Sequence, residues 1–248
     1  MDNLLKDIRY GLRSLMKRPA FTAVAVITLG LGIGVNTAIF SVINAVLLKP
    51  LPYADPSRLV SFRSNQSALD LADVESQTKT FSSLGGMVVQ PLAYTAGREP
   101  LQVQIGQVTG GFFSTLGVQP QLGRFISNED DKNGAPYVVV LGHSLWQKQF
   151  GADPQILGQS IPLSGNIYTV IGVMPATFAT PTINTEAWTP VHVSNPLAAN
   201  FRGVHFLRSY GRLAPGVSIE QARAEMQLID HNLAAQYPAD NKNRTTVL

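Results

Sequence analysis

Residues 20–48 read AFTAVAVITLGLGIGVNTAIFSVINAVLL and contain no charged side chain. As a helix rising about 1.5 Å per residue, this run is about 40 Å long, which exceeds the roughly 30 Å of hydrocarbon in a bilayer. A buried core helix seldom runs so far without a charge, and a cleaved signal peptide has a shorter apolar region ending at small residues. We therefore predict a membrane-spanning helix over residues 19–48.

Positive charge is concentrated on the N-terminal side of this helix. Residues 1–18 hold five Lys or Arg, whereas only Lys49 follows directly. The positive-inside rule then places the N-terminus in the cytoplasm and the later residues outside the cell (inner) membrane. Within 1–18, apolar residues recur at helical spacing and predict an amphipathic helix in the cytoplasmic interface. They are Leu4, Ile8, Leu12 and Leu15.

The excess charge of the chain also comes from residues 1–18. Five basic and two acidic side chains give this segment its net +3, and the fourteen basic and fourteen acidic residues after it cancel. A nucleic-acid partner is not expected, because the exported part has no net positive charge. Anionic membrane lipid is the expected partner of the basic segment. The chain has no cysteine, which excludes disulfides, thiol catalysis and cysteine-ligated zinc.

Small residues form a stripe along the predicted span. Gly30, Gly34 and Ala38 recur at intervals of four, a spacing that lets another helix approach closely. Asn36 and Asn44 add polar groups that are poorly placed against lipid. We interpret the stripe as a helix-packing face whose neighbour is another copy, another subunit or further sequence. The alternative is that these glycines reflect only the frequency of glycine in membrane helices.

The chain changes character after Lys49. Prolines stop the helix and define a linker over residues 49–56, followed by a domain over 57–248. Strands are predicted at 59–62, 101–105, 136–141, 159–163, 167–173, 188–193 and 206–213, and helices at 68–81, 112–118, 144–150 and 218–237. This mixture predicts an α+β domain. The final TTVL is typical of a strand that is just starting, so we expect the domain to continue beyond it.

Catalytic and metal-binding patterns are sparse. The four histidines show no metal-ligand spacing; they are His143, His192, His205 and His231. No lysine follows a glycine, so the chain has no Walker A loop. We predict no catalytic residue, no metal site and no cofactor, and the protein is not expected to be an enzyme.

Two motifs come near to a functional pattern. Residues 142–146, GHSLW, begin like a nucleophile elbow, but Trp146 replaces the required glycine, and we interpret Ser144 as a helix N-cap. The acidic turn at 128–134 lacks the glutamate of an EF-hand, because Val140 occupies its position. We expect a solvated turn there.

Four longer stretches resemble a known family. They are 31–60, LGIGVNTAIFSVINAVLLKPLPYADPSRLV; 110–131, GGFFSTLGVQPQLGRFISNEDD; 139–178, VVLGHSLWQKQFGADPQILGQSIPLSGNIYTVIGVMPATF; and 211–226, GRLAPGVSIEQARAEM. In this order they are similar to the N-terminal part of a MacB/FtsX-type permease of the ABC superfamily. The resemblance is to the branch called duplicated orphan permeases.

The resemblance implies a MacB-like periplasmic core domain of two mixed α/β subdomains, continuing beyond this chain to three further spans. It also implies a separate cytoplasmic ATP-binding subunit and a second permease unit, from a homodimer or an internal duplication. In the family, ATP hydrolysis changes how two permease units pack. The helices pass this motion to the extracytoplasmic domain, a coupling called mechanotransmission, for efflux or envelope-related translocation. Pro50 and Pro52 are then the candidate coupling linker.

Two other classes of protein stay open at this point. One is a membrane-anchored extracytoplasmic binding or sensor module without transport, which the length of the complete reading frame would distinguish. The other is an anchored envelope hydrolase, which the lack of a catalytic constellation disfavours.

Overall fold

The computed structural model describes residues 10, 13, 15–43, 53–97, 99–180 and 185–248. The chain divides into two units, Met1–Leu51 and Pro52–Leu248. In the first unit, helix α1 (Pro19–Ile43) is long and apolar enough to cross a membrane. Its apolar side chains are exposed within that unit, as Phe21 at 66% illustrates. Residues 44–48 lie outside the described part, as does most of the predicted interfacial helix over 1–18.

The second unit is built on one mixed sheet. Its strands are β1 (Leu59–Ser61), β2 (Phe81–Tyr94), β3 (Leu101–Val108), β4 (Leu122–Gly123), β5 (Val138–Leu141), β6 (Ser160–Leu163), β7 (Asn166–Val173), β8 (Ala187–Pro190) and β9 (Arg208–Leu213). Their order is β1-β9-β2-β3-β8-β5-β7-β4, and β6 pairs with β2 and β7. The β3–β8 and β5–β7 pairs are parallel, and the others are antiparallel. The predicted α+β class is confirmed.

Helices of unequal length pack on this sheet. They are α2 (Ala68–Gln77), α3 (Phe112–Leu116), α4 (His143–Phe150), α5 (Val191–Ser194), α6 (Pro196–Ala199), α7 (Ile219–Gln236) and α8 (Pro238–Asn241). Helices α2 and α7 share one core with β1, β2 and β9, and α4 shares another with β5, β6 and β7. Helix α3 contributes to a third, aromatic core built on the middle strands. A single sheet thus runs through both mixed α/β subdomains, one containing α2 and α7 and the other containing α4.

Local signals explain several of these elements. The β6–β7 hairpin turns at Ser164 and Gly165, which both have positive φ angles, as in a two-residue turn. Helix α7 begins with a complete capping box between Ser218 and Gln221. The strands predicted at 159–163 and 167–173 and the helix predicted at 218–237 are confirmed to within one residue at each end.

Other predictions need correction. Helix α2 ends at Gln77, earlier than the predicted 68–81, because Phe81 already pairs with Leu213 in the sheet. Strand β2 is not predicted from the sequence. Its burial does not follow a simple period of two, since the run Leu84 to Met87 is buried on both faces.

The acidic turn at 128–134 is solvated as predicted except at its two central carboxylates, since the other five residues are exposed. Asp130 and Asp131 are only 9% and 8% exposed. Arg124 donates two hydrogen bonds to Asp130, and this guanidinium, helped by the N–H and hydroxyl groups of Ser127, lowers the pKa of Asp130 to about 2. Asp131 accepts a backbone hydrogen bond of 2.9 Å from His192. A partner 61 residues away therefore holds Asp131, whereas the partners of Asp130 lie within six residues of it.

Candidate functional site at the anchor segment

The residues with possible catalytic chemistry do not converge. Within the described residues, no group of three His, Asp or Glu is placed to hold a metal ion. His192 pairs with Asp131, and His205 pairs with Asp70. Helix α4 begins at His143 with Gly142 as its N-cap. The interpretation of Ser144 as the N-cap is therefore wrong.

The predicted packing stripe lies on one face of α1. Gly30, Gly34 and Ala38 are all exposed in this chain. A Cβ atom added at Gly30 or Gly34 would meet nothing within 4 Å. The predicted coupling linker, Pro50 and Pro52, lies outside the described residues. The next described residue is Tyr53, and we call residues 53–58 the anchor segment.

Tyr53 is the first residue of the anchor segment, and its side chain attaches the segment to the domain. Its side chain is buried, and its hydroxyl group donates a hydrogen bond of 2.6 Å to the carbonyl oxygen of Ala179. Its ring centroid lies 6.4 Å from that of Phe178. Burial, and to a smaller extent Tyr210, raises the pKa of Tyr53 above its ordinary value. The phenol therefore stays neutral and remains a donor at physiological pH.

Arg58 fixes the other end of the segment. Residues Pro56–Arg58 form one turn of 3₁₀ helix, which leads directly into β1. The Nε and Nη2 atoms of Arg58 both donate to the carbonyl oxygen of Leu213, at 2.9 Å and 2.6 Å. The segment is thus tied to the last residue of β9.

Arg212 joins the anchor segment to helix α3. It is only 9% exposed, and its Nε atom donates a hydrogen bond of 2.9 Å to the carbonyl oxygen of Thr115. Its Nη1 atom donates to the carbonyl oxygen of Asp55 at 3.4 Å. Burial, followed by the neighbouring charge of Arg58, lowers the pKa of Arg212. An arginine remains charged despite such a shift, so one buried cation holds both carbonyl groups.

Gly117 allows the close approach between α3 and the anchor segment. It has a φ of 64° at the C-terminal end of α3. A Cβ atom at this position would lie 2.8 Å from the Cβ of Ala54 and 3.0 Å from Nη2 of Arg212. Both the backbone conformation and the available space therefore require glycine.

An aromatic cluster connects Tyr53 to the middle of the sheet. Phe178, which touches Tyr53, lies 5.3 Å from Trp188 on β8 and 6.3 Å from Phe113 on α3. Phe113 stacks on Phe125 at 4.7 Å. The anchor segment is consequently packed against the central core of the domain as well as against the β9 edge.

The profile of the MacB-like periplasmic core domain family matches residues 22–229 of this chain, a range that includes the anchor segment. The chain belongs to this family. Among curated proteins, no sequence matches the chain.

Solved structures show the same MacB-like fold. The periplasmic region of MacB from Actinobacillus actinomycetemcomitans is 15% identical, with a TM-score of 0.54 over 72% of this chain and 77% of that one. The extracellular domain of the noncanonic ABC-type transporter YknZ from Gram-positive bacteria is 14% identical, with a TM-score of 0.54 over 77% and 100%. A permease domain from Porphyromonas gingivalis is 14% identical, with a TM-score of 0.55 over 78% and 88%. At such identities the likeness concerns the fold.

The contacts of the anchor segment in this MacB-like domain were not apparent from the sequence. Tyr53 and Arg58 fall within or beside the proline-rich stretch that predicts a linker. The one available signal is Arg212, a charged residue in a segment that predicts a strand. Its partners, Asp55 and Thr115, are 157 and 97 residues away in the chain.

Proposed function

We propose that the chain is part of a membrane permease subunit of an ABC-type transporter. Three observations support this role: the charge-free helix α1, the basic residues before it, and the membership of the MacB-like family. In this proposal the N-terminus is cytoplasmic, the span crosses the cell (inner) membrane, and the MacB-like domain is extracytoplasmic. A separate cytoplasmic ATP-binding subunit supplies the energy by hydrolysing ATP, and the permease subunit has no catalytic role.

The observation that carries the proposal is the rigid attachment of the anchor segment. Tyr53 is hydrogen-bonded to the loop after β7, and Arg58 to the end of β9. Because both ends of the segment are held, a displacement of residue 53 cannot be absorbed by bending between 53 and 58. A movement of the membrane helix that displaces residue 53 would therefore be passed on to the sheet, as mechanotransmission for efflux or envelope translocation requires.

The proposal assigns a role to each part of the chain. Residues 1–18 contact lipid headgroups, 19–48 cross the bilayer, and 49–56 transmit motion into the domain over 57–248. The stripe of Gly30, Gly34 and Ala38 packs against a second permease unit, from a homodimer or an internal duplication. Nucleic acid has no part in this mechanism.

The test is whether ATP hydrolysis moves the domain. Because the chain has no cysteine, Lys132→Cys gives a single exposed site for a spin label on each permease unit. We expect the distance between the two labels to change when ATP and vanadate are added to the complex in nanodiscs. Arg212→Gln should abolish this change while ATP turnover continues, and the exposed Arg223→Gln is the matched control. An unchanged distance in the parent complex would refute the proposal.

A second candidate is an anchored binding or sensor module, and one observation favours it. The domain contains a cavity of about 530 Å³ lined by charged and aromatic side chains, including His143, Lys148, Phe178, Glu186 and Trp188. This volume falls within the range of roughly 300–1,000 Å³ for small-molecule sites. Purification of the chain from its native membrane discriminates the two, since only a permease should carry an ATP-binding subunit with it.

A further inference from the structure

Two exposed arginines, Arg63 and Arg208, lie close to the β1–β9 edge of the sheet. Ser61 on β1 is paired with Tyr210 on β9, and the N–H group of Phe62 donates to the carbonyl oxygen of Ser209 at 2.9 Å. Beyond Phe62 this pairing stops, because the N–H group of Arg63 donates to the carbonyl oxygen of Val247 at 2.7 Å. The side chain of Arg63 nevertheless lines the same cavity as that of Arg208, at the start of β9.

This arrangement brings like charges together without a counter-charge. Among the described residues, neither guanidinium of Arg63 or Arg208 makes an ion pair or a hydrogen bond. Both side chains are exposed. Like charges that line one cavity repel each other, so the domain gains no stability from placing them together. A ligand of opposite charge would remove the repulsion.

The two arginines line a small cavity. Its volume is about 310 Å³, and its walls are Ser61, Phe62, Arg63, Asn65, Arg208 and Tyr210. No carboxylate is among these lining residues. A third cation, Arg244, lies at the rim, where its Nη2 atom donates a hydrogen bond of 2.6 Å to the carbonyl oxygen of Asn65. The charge of Arg244 also acts on Asp230, which is hydrogen-bonded to Thr246.

We propose that this arginine pocket, defined by Ser61, Arg63, Asn65 and Arg208, is a binding site for a phosphate group. Guanidinium groups bind phosphate oxygens through pairs of parallel hydrogen bonds, and two of them neutralise a dianion. The hydroxyl group of Ser61 and the amide of Asn65 add short-range donors. The phosphate belongs either to a lipid headgroup or to a soluble phosphate compound.

The pocket is separate from the anchor segment. Arg208 and Arg212 lie at opposite ends of β9, with Tyr210 between them on the same face. Four residues of a strand span about 13 Å. Substitution of Arg63 or Arg208 therefore leaves the contacts of Arg212, Arg58 and Tyr53 intact, and the site is tested independently of the proposed permease role.

The experiment uses the full chain in dodecyl maltoside micelles, which carry no phosphate, and follows thermal unfolding with inorganic phosphate as the probe. At a phosphate concentration of about 100 Kd, we expect the Tm to rise by roughly 5 °C over chloride of equal ionic strength. Arg63→Gln/Arg208→Gln should lose this rise. Its Tm in chloride should equal or exceed that of the parent chain, which also shows that it folds. Arg223→Gln/Lys242→Gln removes the same charge elsewhere and should keep the rise.

A second arm identifies the source of the phosphate group. In nanodiscs containing phosphatidylglycerol, a headgroup ligand would already occupy the pocket, so added phosphate should have a smaller effect on the parent chain. A soluble ligand predicts equal responses in the micelles and in these nanodiscs. Either outcome supports the site. The proposal fails if phosphate acts no more strongly than chloride, or if the double arginine variant keeps the full rise.

Discussion

The hydroxyl group of Tyr53 donates a hydrogen bond of 2.6 Å to the carbonyl oxygen of Ala179, 126 residues further along the chain. This bond joins the first described residue after the membrane-helix unit to a loop beside the central core. We expect Tyr53→Phe to lower the free energy of unfolding by about 1 kcal/mol, because it removes one hydrogen bond from a buried site. Thermal unfolding of the full chain in detergent measures the loss.

The control for this substitution is Tyr137→Phe. The hydroxyl group of Tyr137 makes no hydrogen bond within the described residues, although its ring packs against Tyr168. Tyr137→Phe should therefore change the free energy of unfolding by close to zero. Equal losses for the two variants would show that the Tyr53 hydrogen bond contributes nothing.

Gly117→Ala tests the fit between α3 and the anchor segment. The substitution adds a methyl group against Ala54 and Arg212 at a positive φ angle. Gly151→Ala is the control, because Gly151 ends α4 with a φ of 60° and has open space around its Cα. We expect Gly151→Ala to cost about 1 kcal/mol and Gly117→Ala about 1–3 kcal/mol more, the penalty of overpacking. Urea unfolding measures the free energy of unfolding of both variants. Equal losses would mean that the anchor segment moves aside for the added methyl group at no cost.

Asp130 should make the domain sensitive to acid. Its pKa of about 2 in the folded state lies below the ordinary aspartate value of 3.8, because Arg124 and Ser127 stabilise the carboxylate. Its contribution is therefore complete above about pH 4 and is lost as the pH falls towards 2. Allowing for the half-exposed Arg124, we expect Asp130→Asn to cost about 1–2 kcal/mol at neutral pH.

The pH dependence distinguishes this effect from a general loss of stability. Asp130→Asn should lose less stability than the parent chain between pH 4 and pH 2, as measured by urea unfolding at each pH. Glu129→Gln is the control, because Glu129 pairs with Lys132 on the surface and should change stability by less than about 1 kcal/mol. A parallel pH profile for Asp130→Asn and the parent chain would contradict the assignment.

The proposed coupling linker can be tested by changing its stiffness. Proline fixes its own φ angle, whereas glycine and serine leave the backbone free. Replacing Pro50 by Gly and Pro52 by Ser should leave the ATP turnover of the complex in place and uncouple it from transport or domain movement. Pro215→Ala, in a turn after β9, is the control. Unchanged coupling in the linker variant would count against mechanotransmission through these residues.

The packing stripe on α1 makes a prediction about association. Gly30→Leu/Gly34→Leu should reduce the association of permease units in nanodiscs by tenfold or more, a loss of about 1.4 kcal/mol, because two bulky side chains prevent close approach. Gly32→Leu is the control, since an offset of two residues places Gly32 on the opposite side of the helix. Fluorescence energy transfer between labelled copies measures both. Equal association in all three proteins would mean that the stripe is not an interface.

Much of the fold follows from local patterns in the sequence. The charge-free run of α1, the capping box at Ser218 and the turn at Ser164 and Gly165 each depend on residues close together in the chain. The α+β class and the family resemblance follow from the order of such segments. Predictions based on helical or strand periodicity succeeded where one face of an element is buried, because burial then imposes the period.

Only the tertiary structure determined which polar side chains are buried. The sequence predicts a solvated turn around Asp130, a proline-rich linker containing Tyr53 and an ordinary strand residue at Arg212, yet all three side chains are buried. Ala179 and Thr115, the partners of Tyr53 and Arg212, lie 126 and 97 residues away, whereas Arg124 lies only six residues from Asp130. A polar group is buried only where such partners complete its hydrogen bonds, and this condition is set by the packing of whole elements, which local sequence does not encode.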